Sequence, residues 1–439
     1  MNINRDILRL ALPSILANIT IPLVGLVDTA IVGHISDAAS IGGIAIGTML
    51  FDLLYWNFGF LRVGTSGLTA QSFGAQRLDE CTRILRRSVS IALLAAILIW
   101  AIQWLFVTAV LAVVPCSVSA ANVARRYFFI RIWAAPSTLC LMAFKGWFIG
   151  MQDTRSPMAV DIVVNAINML ASYLLAVPAG LGVEGVAWGT LIAQYTGLVL
   201  ACSILVSRYR FVFRRMEWWS GDWGRIIRLN TNLFIRSLCF MVVYVGFTSL
   251  AGRYGDNLLA VSSILMKLFM FFSYFVDGFA YAGEALVGRF IGEKSLDSAS
   301  LASRFSPLIS RLFVWSLGVG ILFTLIYAIW GQPVIGLLTD DAAVLTSVPP
   351  YLGWLIAMPI ISTLAFMWDG LYVGATEGVA IRNSMIWAAI SFVVAYLITY
   401  RWCGLHALYV AYFAHLIARV AYLTAQYPQL KQSILTTDD

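Results

Sequence analysis

The heptapeptide FKGWFIG, residues 144–150, has a counterpart in WDGLYVG, residues 368–374. Both segments carry glycine at the third and seventh positions, an aromatic residue at the first and fifth, and a β-branched residue at the sixth. The two segments occupy corresponding places on two apolar runs of the chain. The two segments therefore indicate a chain made of two related halves.

The composition is that of a membrane protein. Of the 439 residues, 60% are hydrophobic and 12% are charged, whereas about 25% are charged in typical soluble proteins. The mean hydropathy of +0.84 agrees with this. These values exclude a soluble multidomain protein. We interpret the net charge of +7 as a topology signal in the loops, not as a nucleic-acid-binding surface.

A helix needs about 20 apolar residues to cross a bilayer, and such runs recur along the whole chain. We predict twelve spans, at 8–33, 46–70, 88–114, 127–150, 157–178, 185–206, 226–251, 258–288, 307–329, 351–373, 385–401 and 406–426. The short alternating strands typical of a β-barrel are not found in the sequence. The predicted fold class is an all-α polytopic membrane protein with twelve transmembrane helices in two pseudo-symmetric six-helix bundles.

An offset of 219 residues aligns the first two spans of each half. It is the difference between Arg228 and Arg9, and it also places Gly64 on Gly283. Further along, FKGWFIG and WDGLYVG align at a larger offset, the difference between 368 and 144. We predict three parts: an N-terminal six-helix lobe at 1–206, a cytoplasmic basic linker at 207–225 and a C-terminal six-helix lobe at 226–439. A six-helix repeat begins on the same side of the membrane in both halves, so the lobes are parallel. This plan is typical of transporters that hold substrate between the halves.

The distribution of basic residues predicts the orientation. The linker 207–225 carries five arginines, and cytoplasmic loops are enriched in Lys and Arg. We therefore expect both termini in the cytoplasm.

The six cysteines show no CxxC or metal-ligand spacing and are interpreted as packing residues. The first apolar run is long enough to be a retained helix and not a cleaved signal peptide.

Charged side chains inside the spans are candidate functional residues, because a charge at a helix centre costs about 2.5–3.5 kcal/mol on insertion scales. Asp28 on the first span is aligned with Phe247, so the scaffold does not require an acid there. An interfacial position for Asp28 near the helix end stays open. Lys145 and Asp369 occupy equivalent places on the fourth and tenth spans. A structural ion pair between these two residues and a functional role are both possible.

Three more charged residues complete a candidate substrate or second-lobe polar site with Lys145 and Asp369. Arg62 lies on the second span, and Asp277 and Glu284 lie on the eighth. Asp277 and Glu284 are separated by two helical turns and so share one face.

Neutral polar residues form a second group. Asn165, Asn168 and Ser172 follow one stripe of the fifth span, and Thr190 lies on the sixth. Such residues often only bridge helices, at about 0.6 kcal/mol each. Beside Asp28 they can also supply oxygen ligands or hydrogen bonds to a titrating carboxylate.

Four segments and the duplicated six-span plan together resemble the multidrug and toxic compound extrusion (MATE) family, most of all its DinF-like branch. The segments are DTAIVGHI (28–35), YWNFGFLRVGTSGLTAQSFGA (55–75), FIGMQDTRSPM (148–158) and WDGLYVGAT (368–376). The resemblance covers essentially the whole chain. It implies a transporter, not an enzyme, that exports amphipathic, often cationic, organic compounds in exchange for H+ or Na+.

The resemblance also implies a setting for this transporter. It would be a multi-pass protein of the bacterial inner membrane, in contact with lipids and small organic substrates. It would need no cofactor or metal, bind no nucleic acid and act as a monomer.

The resemblance gives roles to residues of the first half. Asp28 is the expected coupling residue, and Pro13 is expected to bend the first span, with Pro22 as a second bending point. Asn168 and Thr190 would be its polar partners. A carboxyl group held away from water favours its neutral form, so proton loading outside and release inside would drive the cycle.

The chain departs from the family pattern at one position. A second acid is common four residues after the asparagine, where this chain has Ser172. Two carboxylates suit a hard cation better than one carboxylate with neutral oxygens, so Ser172 favours H+ over Na+. In the second half, Asp369 matches a tenth-span acid of related transporters.

The alternative function is a lipid-linked oligosaccharide flippase of related architecture. That function favours a cationic central cavity for pyrophosphate, whereas here Arg62 and Lys145 are balanced by acids. A channel would need a filter-like repeated loop, and an enzyme would need a motif such as HExxH or a P-loop. A major-facilitator transporter would need a glycine–aspartate–basic pattern that GAQRLDECTRILRRS (74–88) lacks.

Overall fold

The computed structural model describes residues 3–35, 38–114, 116–213, 223–293, 298–339 and 341–435. Throughout these ranges every regular element is helical. The α-helices are α1 Ile3–Ile35, α2 Ala38–Tyr55, α3 Phe60–Gly74, α4 Leu78–Val113, α5 Val118–Arg131, α6 Ala135–Gly150, α7 Arg155–Ala176, α8 Gly182–Arg208, α9 Trp223–Ala251, α10 Asp256–Glu293, α11 Ser298–Gly336, α12 Ala342–Ser347, α13 Pro349–Gly374, α14 Gly378–Cys403 and α15 His406–Leu435.

Twelve stretches of the described helices are long and apolar enough to cross a membrane. This confirms the predicted number of spans and the all-α class. Two of the stretches are composite. Gly42–Gly74 joins α2 to α3 through the 3-10 turn Trp56–Phe58, and Val118–Gly150 joins α5 to α6 through the turn Ile132–Ala134. The short helix α12 lies between the ninth and tenth spans.

The first helix extends beyond its predicted bounds of 8–33. It runs from Ile3 to Ile35 and contains both Pro13 and Pro22. Proline has no backbone N–H and so removes one intrahelical hydrogen bond. Bending at these two positions stays a prediction.

The helices form two compact units, and each has its own buried core. One unit comprises Leu16–Phe73 and Arg77–Gly224. The other comprises Met1–Ile15, Gly74–Gln76 and Arg225–Asp439. We call them the first and second unit.

The start of α1 belongs to the second unit, although its sequence position lies in the predicted lobe 1–206. Gly278 on α10 explains this grouping, because Ala11 and Ile15 lie where a Cβ at Gly278 would stand. Of the predicted linker 207–225, the turn Arg210–Phe213 is described, whereas 214–222 lies outside the described residues.

In the first unit, the glycines of FKGWFIG bring α6 against α3. A Cβ at Gly146 would collide with the carbonyl oxygen of Arg62, and a Cβ at Gly150 would lie 2.7 Å from that of Ser66. These distances are possible only because glycine has no side chain, and the backbones of the two helices touch.

In the second unit, WDGLYVG makes the same contact between α13 and α10. A Cβ at Gly370 would lie 2.6 Å from the carbonyl oxygen of Ala280, and one at Gly374 would lie 2.7 Å from that of Glu284. The duplication is therefore visible in the packing. Glu284 takes the same place in this contact as Ser66 takes in the first unit, whereas the sequence alignment pairs Glu284 with Thr65. The 3-10 turn before α3 has no counterpart within the continuous helix α10.

Two glycines of α13 give a matched test of this contact. Gly370→Ala should lower the free energy of unfolding by about 1–3 kcal/mol, because the new methyl group pushes the backbones of α10 and α13 apart. Gly353 has open space around its Cβ position. Gly353→Ala should leave stability unchanged or raise it by about 0.5–1 kcal/mol, the helix preference of alanine over glycine. Thermal unfolding in detergent measures both, and equal midpoints for the two variants would contradict the assigned contact.

Candidate functional site

Two glycines of α8 position the neutral polar side chains. Gly185 and Gly189 face α7, where a Cβ would lie 2.5 Å from the backbone nitrogen of Ala176 or collide with that of Ser172. The absence of side chains lets α7 and α8 approach each other until their polar groups are within hydrogen-bond distance.

Asn168, Ser172 and Thr190 lie close together, as expected, and form a buried hydrogen-bonded chain. The Asn168 Nδ2 donates to Thr190 Oγ1 at 3.2 Å, and the Ser172 Oγ donates to Asn168 Oδ1 at 3.2 Å. The Thr190 Oγ1 in turn donates to the carbonyl oxygen of Val186 at 3.1 Å. These bonds fix the orientation of the Asn168 amide, because its oxygen accepts from Ser172 and its nitrogen donates to Thr190.

A further hydrogen bond ties the first helix to α7. The Asn165 Nδ2 donates to Thr20 Oγ1 at 2.5 Å, and Thr20 Oγ1 donates to the carbonyl oxygen of Ala17 at 2.6 Å. Thr20 lies about two turns before Asp28 on the same helix. The polar stripe of α7 therefore reaches the helix that carries the predicted coupling residue.

Asp28 is half-buried, and its Oδ1 is fully enclosed. Among the described residues this oxygen has no hydrogen-bond partner. An enclosed carboxylate oxygen without a donor is costly, by about 1–3 kcal/mol or more. Protonation or a bound cation would relieve that cost, which suits a residue that changes its state during transport.

Sequence reasoning missed Arg131, the cation whose charge acts on both Asp28 and Asp52. Arg131 ends α5, where its Nη1 donates to Tyr127 Oη at 2.9 Å and its Cζ lies 4.5 Å from the ring centroid of Phe51. The signal was present in the sequence, because Arg131 stands four residues inside the predicted fourth span. Its aromatic partners could not be identified without the fold.

The structure corrects the suggested pairing of Lys145 with Asp369. The Lys145 Nζ lies 2.6 Å from Asp161 Oδ2, one helix further along the chain. Asp369 Oδ2 accepts from Arg236 Nη2 and from Arg419 Nη2, each at 2.6 Å. The two charges are therefore neutralised locally, each within its own unit.

The other predicted polar residues lie at different depths. Glu284 is buried in α10 next to Gly374, Asp277 is half-buried two turns earlier, and Arg62 is half-buried on α3. Their functional roles stay predictions. In the described part of the chain, no group of three or more His, Cys, Asp or Glu side chains is placed to hold a metal ion.

Arg131 can be tested through its coupling to Asp28. Arg131→Met should lower the free energy of unfolding by about 1–3 kcal/mol, because it removes a cation whose charge acts on the Asp28 carboxylate and whose guanidinium group lies over the ring of Phe51. Asp28→Asn should cost less in the Arg131→Met background than in the wild type, with an interaction energy of about 0.5–3 kcal/mol. Unfolding of the two single variants and the double variant in detergent gives this value. Arg125→Met, an exposed position on the same helix, is the control, and strictly additive effects would refute the coupling.

Comparisons with known proteins identify the family. The profile of the family described as MatE matches residues 13–174 and 233–401. DNA damage-inducible protein F of Escherichia coli (strain K12) is 34% identical over 424 residues, which cover 95% of this chain and 90% of that protein. Multidrug and toxin extrusion protein 1 of Homo sapiens is 26% identical over 323 residues, 72% of this chain and 56% of that protein.

Solved structures show the same fold. A multidrug resistance MATE family transporter in an outward-facing conformation aligns with a TM-score of 0.89 at 16% identity, over 100% of this chain and 98% of that one. A MATE protein in complex with MaD3S aligns with a TM-score of 0.88 at 16% identity and the same coverage. The chain is therefore a multi-pass membrane protein that belongs to the MATE family of multidrug and toxin extrusion transporters, and it is not an enzyme.

Proposed function

We propose that this transporter exports amphipathic, often cationic, organic compounds across a bacterial inner membrane in exchange for protons, by alternating access and as a monomer. The observation that carries the proposal is the state of Asp28. It is a carboxylate on the first helix with an enclosed oxygen that lacks a donor within the described residues. The names of the relatives support extrusion of organic compounds as the general task.

The corresponding place in the second half supports a role for this acid other than packing. Phe247 is 1% exposed and packs against the rings of Tyr409 and Tyr412, with centroids 5.6 and 5.8 Å apart. Aromatic packing fills this position on α9. A carboxylate in the same place on α1 must therefore serve another purpose, and we assign proton coupling to it.

The partners of Asn168 favour a proton over Na+ as the coupling ion. A hard cation needs several free oxygen ligands. Here Asn168 Oδ1 already accepts from Ser172, and Thr190 Oγ1 already accepts from Asn168. Ser172 also stands where a second acid is common in the family. One carboxylate with engaged neutral neighbours is better suited to carrying a proton.

The proposed cycle starts with proton binding from outside. Protonation neutralises Asp28 and removes its attraction to Arg131. Bending at Pro13 or Pro22 then changes the shape of α1, the helix that Thr20 connects to α7. This change releases the substrate. One charge that crosses 100 mV supplies about 2.3 kcal/mol, roughly a 50-fold concentration ratio for a neutral substrate.

Asp28→Asn tests the assignment in proteoliposomes. With a proton gradient imposed, we expect efflux of an organic cation such as ethidium to fall at least tenfold, because the amide cannot take up a proton. Asp6→Asn changes a carboxylate on the same helix and should retain efflux. A sodium gradient imposed at constant pH forms a separate arm. Full proton-driven efflux by Asp28→Asn would disprove the role of Asp28, and efflux driven by sodium alone would make Na+ the coupling ion.

A further inference from the structure

Three charged side chains from three helices meet inside the second unit. Arg236 comes from α9, Asp369 from α13 and Arg419 from α15. Both arginines place Nη2 at 2.6 Å from the same oxygen, Asp369 Oδ2. The side chain of Arg419 is 2% exposed, that of Asp369 is 8% exposed, and that of Arg236 is 24% exposed. This group is built into the interior and is unlike a surface ion pair.

The group carries more positive than negative charge. Two guanidinium groups share one carboxylate, which leaves a net charge of +1. Asp369 is the one carboxylate that either arginine contacts within the described part of the chain. His415 is fully buried one turn before Arg419 on α15, and a histidine can add only positive charge. An interior cation without a compensating anion is costly.

Most hydrogen-bond donors of the two arginines have no partner among the described residues. A guanidinium group has five N–H donors, and here each bonds Asp369 through one nitrogen. The Nε atoms of both Arg236 and Arg419 are buried, and neither has a partner among the residues that the structure describes. The fork of an arginine matches the two oxygens of a carboxylate or phosphate. The donors therefore fit a second anion in addition to Asp369.

We propose that Arg236 and Arg419 form a binding site for the anionic group of a small organic molecule, a carboxylate or a related oxyanion. Asp369 holds the two guanidinium groups together when the site is empty and competes with the ligand when it binds. The Arg419 Cζ lies 5.9 Å from the ring centroid of Phe366, so an aromatic surface adjoins the charged group and suits an amphipathic ligand.

This inference changes the expected role of Asp369. The sequence suggested an acid that attracts cationic substrates, but two arginines neutralise the carboxylate. The inference rests on the proposed function only in one respect: it takes the anionic molecule to be a substrate of the exporter. Binding can be measured at equilibrium without transport. Asp28→Asn should leave it unchanged, so a failure of proton coupling and a failure of this site are distinguishable.

Three probes with the same ring test the charge preference. They are 4-(trifluoromethyl)benzoate, the neutral 4-(trifluoromethyl)benzamide and the cationic 4-(trifluoromethyl)benzylammonium. Fluorine NMR line broadening with the full-length protein in detergent gives the affinity of each. The wild type should bind the benzoate more tightly than the benzamide and the benzylammonium. Short-chain phosphatidate and inorganic phosphate, added as competitors of the benzoate, tell whether the natural anion is a lipid headgroup or a free oxyanion.

Two variants give opposite expected shifts. Asp369→Asn raises the net charge of the group from +1 to +2 and should tighten benzoate binding on the order of tenfold, about 1.4 kcal/mol. Arg236→Gln lowers the net charge to zero and should weaken benzoate binding by a similar factor. Arg253→Gln, an exposed arginine of the same unit, should have no effect. Arg236→Lys keeps the positive charge but loses the paired N–H donors of the guanidinium group, so it should bind the benzoate with an intermediate affinity. This variant tests the site even if Asp369→Asn does not fold.

Several results would overturn the proposal. Loss of benzoate binding in folded Asp369→Asn would show that the two arginines do not hold the anion, and tighter binding of the benzylammonium than of the benzoate by the wild type would make Asp369 a cation receptor. Equal benzoate affinities of the wild type, Arg236→Gln and Arg253→Gln would reduce the three residues to a structural ion network.

Discussion

Close contact between helix backbones at glycine pairs is the constraint on which the described structure depends. In a bilayer the surrounding lipid is as apolar as the helix surface, so helices associate through close packing and polar contacts. Glycine pairs provide that packing three times, at Gly146 and Gly150 on α6, Gly370 and Gly374 on α13, and Gly185 and Gly189 on α8. The last pair faces Ser172 and Ala176, so the same contact that holds α7 to α8 also positions the hydrogen-bonded chain of Asn168, Ser172 and Thr190.

The two halves share this packing and differ in their charges. On α6, Lys145 pairs with one carboxylate, Asp161, and the pair is neutral. At the equivalent place on α13, Asp369 pairs with two arginines, and the group is cationic. At the equivalent position on the first helix of each half, the first half has Asp28, an acid with an enclosed oxygen, and the second half has Phe247, which packs against aromatic rings. The glycine contacts are the same in both halves, so they do not dictate which charges stand beside them.

The sequence predicted the helices well, and the polar groups only in part. Apolar runs and repeated motifs are properties of short segments, so the twelve spans and the relation of FKGWFIG to WDGLYVG could be read directly from the sequence. Helical spacing placed Asn168 and Ser172 on one stripe, and the family resemblance brought Thr190 into the same group. The partners of Asp369 could not be predicted in this way. Arg236 and Arg419 are 133 and 50 residues from it along the chain, and only the packing of α9, α13 and α15 brings the three together. Lys145 was first matched with Asp369 because the two residues occupy equivalent positions in the two halves. An ion pair requires proximity in space, and the nearby carboxylate of Lys145 is Asp161 of its own unit.

A carboxylate shared by two arginines suits a transport site better than two arginines alone. Two unpaired guanidinium groups in the interior would make the empty state costly and hold an anion too tightly to release it. Asp369 lowers the free energy of the empty state, and the ligand must then compete with it. The charge of the ligand also affects the driving force. Export of a monovalent cation against entry of one proton moves no net charge, whereas export of a monovalent anion with entry of one proton moves two charges in the favourable direction. At 100 mV, inside negative, each charge contributes about 2.3 kcal/mol, so the membrane potential would favour an anionic substrate twice as strongly as a neutral one.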